Sequence, residues 1–461
     1  MGLSIAHGLG IPFQKGGINW SRYWATRTVT GVTITANSDT QFTVNWTNNG
    51  VTDYTGHKVY ISTDGVNFSL NKTIASVQSS MTITGLSAGT LYYLYVVAYK
   101  GSSMSNQSNI ANNRTYQSEL VTYITGLSTP LSTSQKLRLN NLITYLKTQF
   151  SISNLSDIFD AFYVLAGETS ESSLKNLVKD ANHCTLQGTP NPTFTPFAGF
   201  AGDGSHGYID TNFNAYTQGV RFNQNNNAIG ILSNTNSSTV GPIDVGVRSA
   251  GNIENAITIS YSGGLYIRNN VPTSNNKYYS VGSTNAFFIS SRNGSTKDDY
   301  LVYKNKTTPT VTTTGTSATS ACPDLNFYIG ALNSNGTALN FCNRQYAMVF
   351  FSSHITTAMR DVLNDAYAVY KADTLNITTP SLTESTFQST FKNFKLGWFL
   401  CYGMETYNGD EKDGRNVTTS PVSTFTAPSN INVAAWAAKA AESGKIDYAV
   451  LTVSHIYGFS L

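Results

Sequence analysis

The sequence predicts a multidomain, mainly β chain: a β-sandwich, a helical connector, a larger two-sheet jelly roll and the opening of an incomplete (β/α) barrel. Three observations predict it. At 461 residues the chain is longer than one hydrophobic core usually organises, so about two to four domains are expected. Short runs that alternate apolar and polar residues recur between Gly, Asn and Asp turn signals, which is the pattern of half-buried strands. The period turns helical once in the middle, and a strand-helix-strand order follows near the C-terminus.

Composition narrows the functional classes. Charged residues make up 12% of the chain, against roughly 25% in an ordinary soluble domain. Uncharged Ser, Thr and Asn take their place, as suits solvent-facing strands and adhesive surfaces. The formal net charge of +3 is spread thinly, and the densest basic stretch is Lys136 with Arg138. No Lys/Arg stripe offers a phosphate footprint, so a nucleic-acid partner is not expected. Cys184, Cys322, Cys342 and Cys401 stand far apart without a CxxC pair. That argues against a zinc site and against a disulfide framework, and for free thiols in a protein assembled in a reducing cytoplasm. No metal and no cofactor is expected. The N-terminus lacks a basic, apolar secretory leader, and no apolar run of about 18 residues is present, so no membrane insertion is expected.

Residues 1–27 are Gly-rich and end in an aromatic cluster, Trp20, Tyr23 and Trp24. Such a segment buries no core by itself and reads either as a tail or as a peptide that orders on a partner. The opening GLSIAHGLGIPF resembles N-terminal anchors on structural proteins of tailed phages of the crAss-like group. The resemblance implies docking to other virion proteins through the N-terminus.

Residues 28–115 hold strand runs at 42–46, 58–62 and 93–99, with turns at 63–65 and at Gly85 and Gly89. The spacing is that of a β-sandwich. Trp46 and the run LSAGTLY ending in Tyr92 resemble the core Trp and the tyrosine corner of a fibronectin type III module, which implies a spacer or adhesion role. Residues 116–180 change period. Ser132 and Gln135 form a capping box, and Leu139, Leu142, Ile143, Leu146 and Phe150 follow at helical spacing. With the apolar run 158–165, they predict a helical connector.

Residues 181–372 return to alternation at 208–211, 228–232, 257–261, 265–268, 286–290, 300–303, 327–331 and 346–351, and a helix over 356–371 closes the region. A jelly roll is the economical arrangement for so many strands. The entry through Phe200, Asp203 and Tyr208 and the exit through Tyr346, Phe351 and His354 resemble concanavalin A-like (laminin G-type) lectin sandwiches. A sugar site needs an aromatic ring for the C–H face and polar groups for hydroxyls. Asp203, His206, Tyr208 and Asp210 supply those types, although the same cluster also reads as a plain turn and edge strand. The paired acids of a glucanase of this fold are not found here, so no catalytic residue is assigned.

Residues 380–461 read as one β-α-β unit: strands at 396–403 and 447–454 around a helix at 433–442 ended by Gly444. Such a unit demands a parallel sheet. Gly403, Phe425, Trp436, Ala437, Ala440, Tyr448, Leu451, Thr452, His455, Gly458, Phe459 and Leu461 resemble the opening of α-L-fucosidases, which are retaining (β/α)8 glycoside hydrolases. The resemblance implies sugar contacts at His455. The chain departs from the family pattern at Cys401, where a His is usual, and after strand two, where the family usually has paired His then Asp and here only His455 survives, followed by Ile456 and Tyr457. The family's nucleophilic Asp would lie beyond residue 461, so the barrel is expected to be incomplete.

These readings converge on a virion fibre or decoration protein, assembled in the host cytoplasm, that presents glycan-binding domains to a host surface. Phage appendages suggest a homotrimer. The candidate carbohydrate-binding residues are His455, Tyr457, Cys401, Asp203 and Tyr208, and the candidate docking residues are Trp20, Tyr23 and Trp24. A glycoside hydrolase and a bacterial surface adhesin are the alternatives.

Overall fold

The computed structural model describes residues 28–49, 54–235, 241–261, 264–274, 277–280, 282–296, 299–309, 311–313, 320–372, 397–401 and 448–452. The chain divides into two units, Met1–Asn376 and Ile377–Leu461. Strand dominates the described residues of the first.

The first eight strands are β1 (Thr30–Ala36), β2 (Phe42–Thr47), β3 (Gly56–Ser62), β4 (Ser69–Ile74), β5 (Ser80–Ile83), β6 (Leu91–Lys100), β7 (Ser103–Met104) and β8 (Ala111–Arg114). They form two antiparallel sheets, β1-β2-β5 and β4-β3-β6-β7, with β8 on β6. Alternation decides what faces inward. Phe42, Val44 and Trp46 on β2 meet Val59, Leu94 and Val96 in one core. The Ser87 amide donates to the Tyr92 hydroxyl at 3.0 Å, and Phe42 meets the Tyr92 ring edge-on at 5.9 Å. This is the tyrosine corner expected from LSAGTLY.

Two helices follow, α1 (Ser118–Ile124) and α2 (Thr133–Phe150). Ser132 caps α2, its hydroxyl accepting from the Gln135 amide at 3.1 Å. The Gln135 side chain does not complete the expected box. It donates instead to the Tyr370 hydroxyl at 2.9 Å. The run 158–165, which the sequence places in the helical connector, contains a strand, β9 (Phe159–Tyr163), with every residue buried. Its two faces meet different apolar layers, and a helix here would expose one of them.

The remaining strands of this unit are β10 (Thr185–Gln187), β11 (Thr193–Thr195), β12 (Gly199–Ala201), β13 (Tyr208–Asn214), β14 (Asn226–Ser233), β15 (Val245–Arg248), β16 (Ile253–Tyr261), β17 (Gly264–Pro272) and β18 (Lys277–Ser280). Then come β19 (Ala286–Asn293), β20 (Tyr300–Lys304), β21 (Val311–Thr313), β22 (Asn326–Ile329), β23 (Leu332–Ser334), β24 (Thr337–Leu339), β25 (Gln345–Ser352) and the helix α3 (Thr357–Lys371). One sheet has ten strands along β10-β13-β22-β15-β16-β17-β18-β21, with β23 on β15 and β24 on β23. The other has seven, β11-β12-β25-β14-β19-β20, with β9 on β25.

The two sheets pack face to face. Ile229, Ile231, Phe288, Val349 and Phe351 of the seven-stranded sheet share a core with Val245, Ile257, Ile267, Phe327 and Ile329 of the ten-stranded one. The other face of the seven-stranded sheet is covered too. Ala228, Phe287, Ile289, Met348 and Phe350 belong to the same apolar cluster as Leu139, Leu142 and Leu146 of α2 and Leu363 and Ala366 of α3. The seven-stranded sheet is thus a middle layer, which is why β14, β19 and β25 are continuous apolar runs rather than alternations. Within this three-layer arrangement, the open face belongs to the ten-stranded sheet.

In the second unit, β26 (Gly397–Cys401) and β27 (Tyr448–Thr452) pair in parallel from Gly397↔Tyr448 to Cys401↔Thr452. A parallel pair needs a crossover connection. The helix expected at 433–442, and Trp20, Tyr23, Trp24, His455 and Tyr457, lie outside the described residues.

Candidate ligand-binding site

Asp203 and Tyr208 sit near each other where β13 begins. One carboxylate oxygen of Asp203 accepts from the amides of Ser205, His206 and Gly207 at 2.9, 2.7 and 2.9 Å. The other lies 3.2 Å from His206 Nδ1. Those amide bonds hold its carboxyl well below the usual carboxylate range. The side chain is spent on shaping the turn that opens β13. Tyr208 stacks in a tilted pair with Tyr328 at 4.5 Å and lies 6.0 Å from the Phe341 ring. The space beside it, against Phe200, Ile329 and Tyr346, has no room for a water molecule. Cys401 is placed in β26, paired with Thr452.

Among the described residues, a concavity able to hold a ligand lies farther across the open face, over β15, β16 and β17. Its volume is about 210 Å³. Pairing across the sheet explains its make-up. Arg248 stands opposite Glu254, Ala256 opposite Arg268 and Thr258 opposite Tyr266, all on the outward side of the pleat. Glu254 is 1% exposed, and its carboxylate accepts from Arg268 Nη1 at 2.7 Å. Arg248 Nη1 lies 3.8 Å from the other carboxylate oxygen, while its Nε and Nη2 donate to Ser334 Oγ at 3.2 and 2.9 Å. Arg268 Nε donates to the Thr273 carbonyl at 3.1 Å. Each guanidinium is thereby fixed by at least two partners.

The floor is apolar and the rim is not. Ile243, Ala256 and Leu332 form a small buried cluster, and Ile243 and Leu332 line the concavity with Thr258, Tyr266 and Asn340. Gly246 makes that floor possible, since a Cβ there would stand 2.7 Å from the Ala256 methyl and 3.0 Å from Ile243. Tyr266 pairs with Tyr278 of β18, ring centroids 4.8 Å apart. Guanidinium donors, a hydroxyl, an amide and a tyrosine ring therefore converge over apolar carbon.

A buried ion pair steadies this wall from inside the sandwich. Asp244, between Ile243 and Val245, and Arg344 are both fully buried and 3.0 Å apart. The same Asp244 oxygen accepts from the Tyr346 hydroxyl at 2.7 Å, and its partner oxygen accepts from the Ile259 amide at 2.6 Å. Burial pushes the Asp244 carboxyl up, against the opposing pull of Arg344. Cys342 lies in this group, and burial pushes its thiol up to about 12. Cys184, Cys322 and Cys342 are buried free thiols.

Arg248, Glu254, Tyr266 and Arg268 are absent from the sequence-based candidates. The alternation of 264–272 puts Tyr266 and Arg268 on one side of a strand, and that was the available signal. Their meeting with Arg248 and Glu254 depends on a register that sequence does not give. Among the described residues no group of three or more His, Cys, Asp or Glu is placed to hold a metal, and no helix is long and apolar enough to cross a membrane.

The comparisons with known proteins bear on the N-terminal sandwich. Residues 27–114 match the fibronectin type III domain. Solved structures similar to the chain include chicken CNTN1 FN1-FN3 domains, 16% identical over 20% of this chain and 32% of that one, with a TM-score of 0.19. Domains from titin are 19% identical over 20% of this chain and 32% of theirs, with a TM-score of 0.18. An Fn3-like protein from Clostridium thermocellum is 23% identical over 19% of this chain and 91% of its own length, with a TM-score of 0.18. The chain thus spans about a third of the first two. No curated protein matches it. As a module the fibronectin type III domain commonly serves binding and adhesion.

Proposed function

We propose that the chain is an adhesive display protein whose large sandwich binds a surface glycan through the pocket over β15, β16 and β17. The observation that carries this reading is the pocket itself. A ring, fixed hydrogen-bond donors and an apolar floor in one concavity are what a sugar requires. The fibronectin type III domain supports a spacer role behind it. The likeness of GLSIAHGLGIPF to phage anchors supports a virion setting, with residues 1–27 docking to other virion proteins. Repetition of the chain on a particle, as a homotrimer or in greater number, would turn weak single sites into firm attachment.

The test is surface plasmon resonance of the full chain on immobilised bacterial capsular polysaccharide, with reducing-sugar release followed in parallel. Saturable binding without release, reduced at least tenfold by Thr273→Trp at the pocket wall, is the expected result. Release of sugar would move the function to the fucosidase-like segment. Binding that ignores Thr273→Trp would place adhesion elsewhere on the chain.

A further inference from the structure

We infer that this pocket selects acidic glycans, those bearing a carboxylate or a sulfate, over neutral ones. The inference rests on the glycan-binding reading above. Among the described residues, the charged side chains lining the concavity are Arg248, Glu254 and Arg268, so two guanidiniums face one carboxylate. They also differ in depth. Glu254 is 1% exposed, whereas Arg268 and Arg248 are 20% and 26% exposed. A ligand entering from solvent meets the cations first and the anion behind them.

The guanidiniums are not saturated by the protein. Arg268 uses Nε on the Thr273 carbonyl and Nη1 on Glu254, which leaves Nη2 to donate outward. Arg248 uses Nε and Nη2 on Ser334, and its Nη1 is 3.8 Å from Glu254, beyond a hydrogen bond. Guanidinium donors held in place suit the planar or tetrahedral oxygens of an acidic substituent. Glu254 has a positioning role: it holds Arg268 and offsets part of the positive charge, so the empty pocket remains stable. A neutral sugar could still use Thr258, Asn340 and the Tyr266 ring, but it would leave both guanidiniums facing water.

The test is a glycan array carrying sialylated, uronate-containing, sulfated and neutral oligosaccharides, probed with the full chain at about 50 and 300 mM salt. Hits concentrated in the acidic classes and weakened severalfold at the higher salt are expected. Arg268→Gln should lose at least tenfold on those hits, and Arg268→Lys should keep the acidic preference with weaker binding. Thermal melts of each variant check folding. Should Arg268→Gln not fold, Arg248→Gln, whose guanidinium is farther from Glu254, reads the same preference. Hits confined to neutral glycans, or acidic hits indifferent to both arginines, overturn the inference while the glycan-binding reading stands. An array without hits on any class overturns both.

Discussion

His57 shows how one side chain makes the fibronectin type III domain sensitive to acid. The ring is fully buried, with its Nε2 3.2 Å from the Trp46 indole nitrogen and 3.0 Å from Asn48 Oδ1. Burial lowers its pKa from 6.5 to about 4. The folded domain therefore keeps the ring neutral, while the unfolded chain binds a proton near pH 6.5. The stabilisation is complete above that pH and is lost as the pH falls towards 4, at about 1.4 kcal/mol per pH unit. Urea unfolding at pH 7.5, 6 and 4.5 should show that slope, and His57→Leu should flatten it. An unchanged slope in the variant would assign the acid sensitivity to other groups.

At the scale of elements, β9 is tied to a neighbouring segment by one carboxylate as well as paired with β25. Asp160, 3% exposed in the middle of this strand, accepts from the amides of Val220, Arg221 and Phe222 at 3.1, 2.9 and 2.8 Å. It ties β9 to the segment between β13 and β14. Asp160→Ala would leave three amides without their acceptor, and we expect a loss of at least about 2 kcal/mol, measured as a shift in the urea midpoint at unchanged slope. A loss under about 0.5 kcal/mol would mean that water replaces the carboxylate.

The same element marks where sequence reading succeeds and where it stops. Alternation in β2 and β13 announces one buried face, and the cap at Ser132 announces α2. Runs such as β14, β19 and β25 were legible as strands because they are long and rich in Ile, Val and Phe. The run containing β9 has the same apolar continuity but holds Asp160, and only the distant 220–222 amides explain that residue. Three-residue strands such as β10, β12 and β23 are too short to show any period. The candidate pocket was hidden for a related reason. Arg248, Glu254 and Arg268 look like ordinary solvent-facing charges until the pairing of β15, β16 and β17 puts them side by side.

At the scale of the first unit, the fibronectin type III domain is not a loosely tethered bead. Its core residues and those of α2 and α3 belong to one apolar cluster. Polar bonds reinforce the join: Asn140 on α2 accepts from the Gln117 amide at 2.7 Å, the Gln117 side chain reaches Thr144 at 2.9 Å, and Lys147 pairs with buried Glu119 at 3.1 Å. Cooperative unfolding is expected across this join. Hydrogen exchange at rising urea should show β2, β6, β14 and β25 losing protection together. Loss in β2 and β6 well before β14 and β25 would show that the two sandwiches unfold independently.

The bond between Gln135 on α2 and Tyr370 on α3 has a mechanical consequence. It links the helix that leads into the large sandwich with the helix that leads out of it, across 235 residues of chain. Tension applied along the backbone at the two ends of that span passes from helix to helix and bypasses the sheets between them. The sandwich is then set beside the line of pull, so its sheets can stay folded while the rest of the chain is stretched.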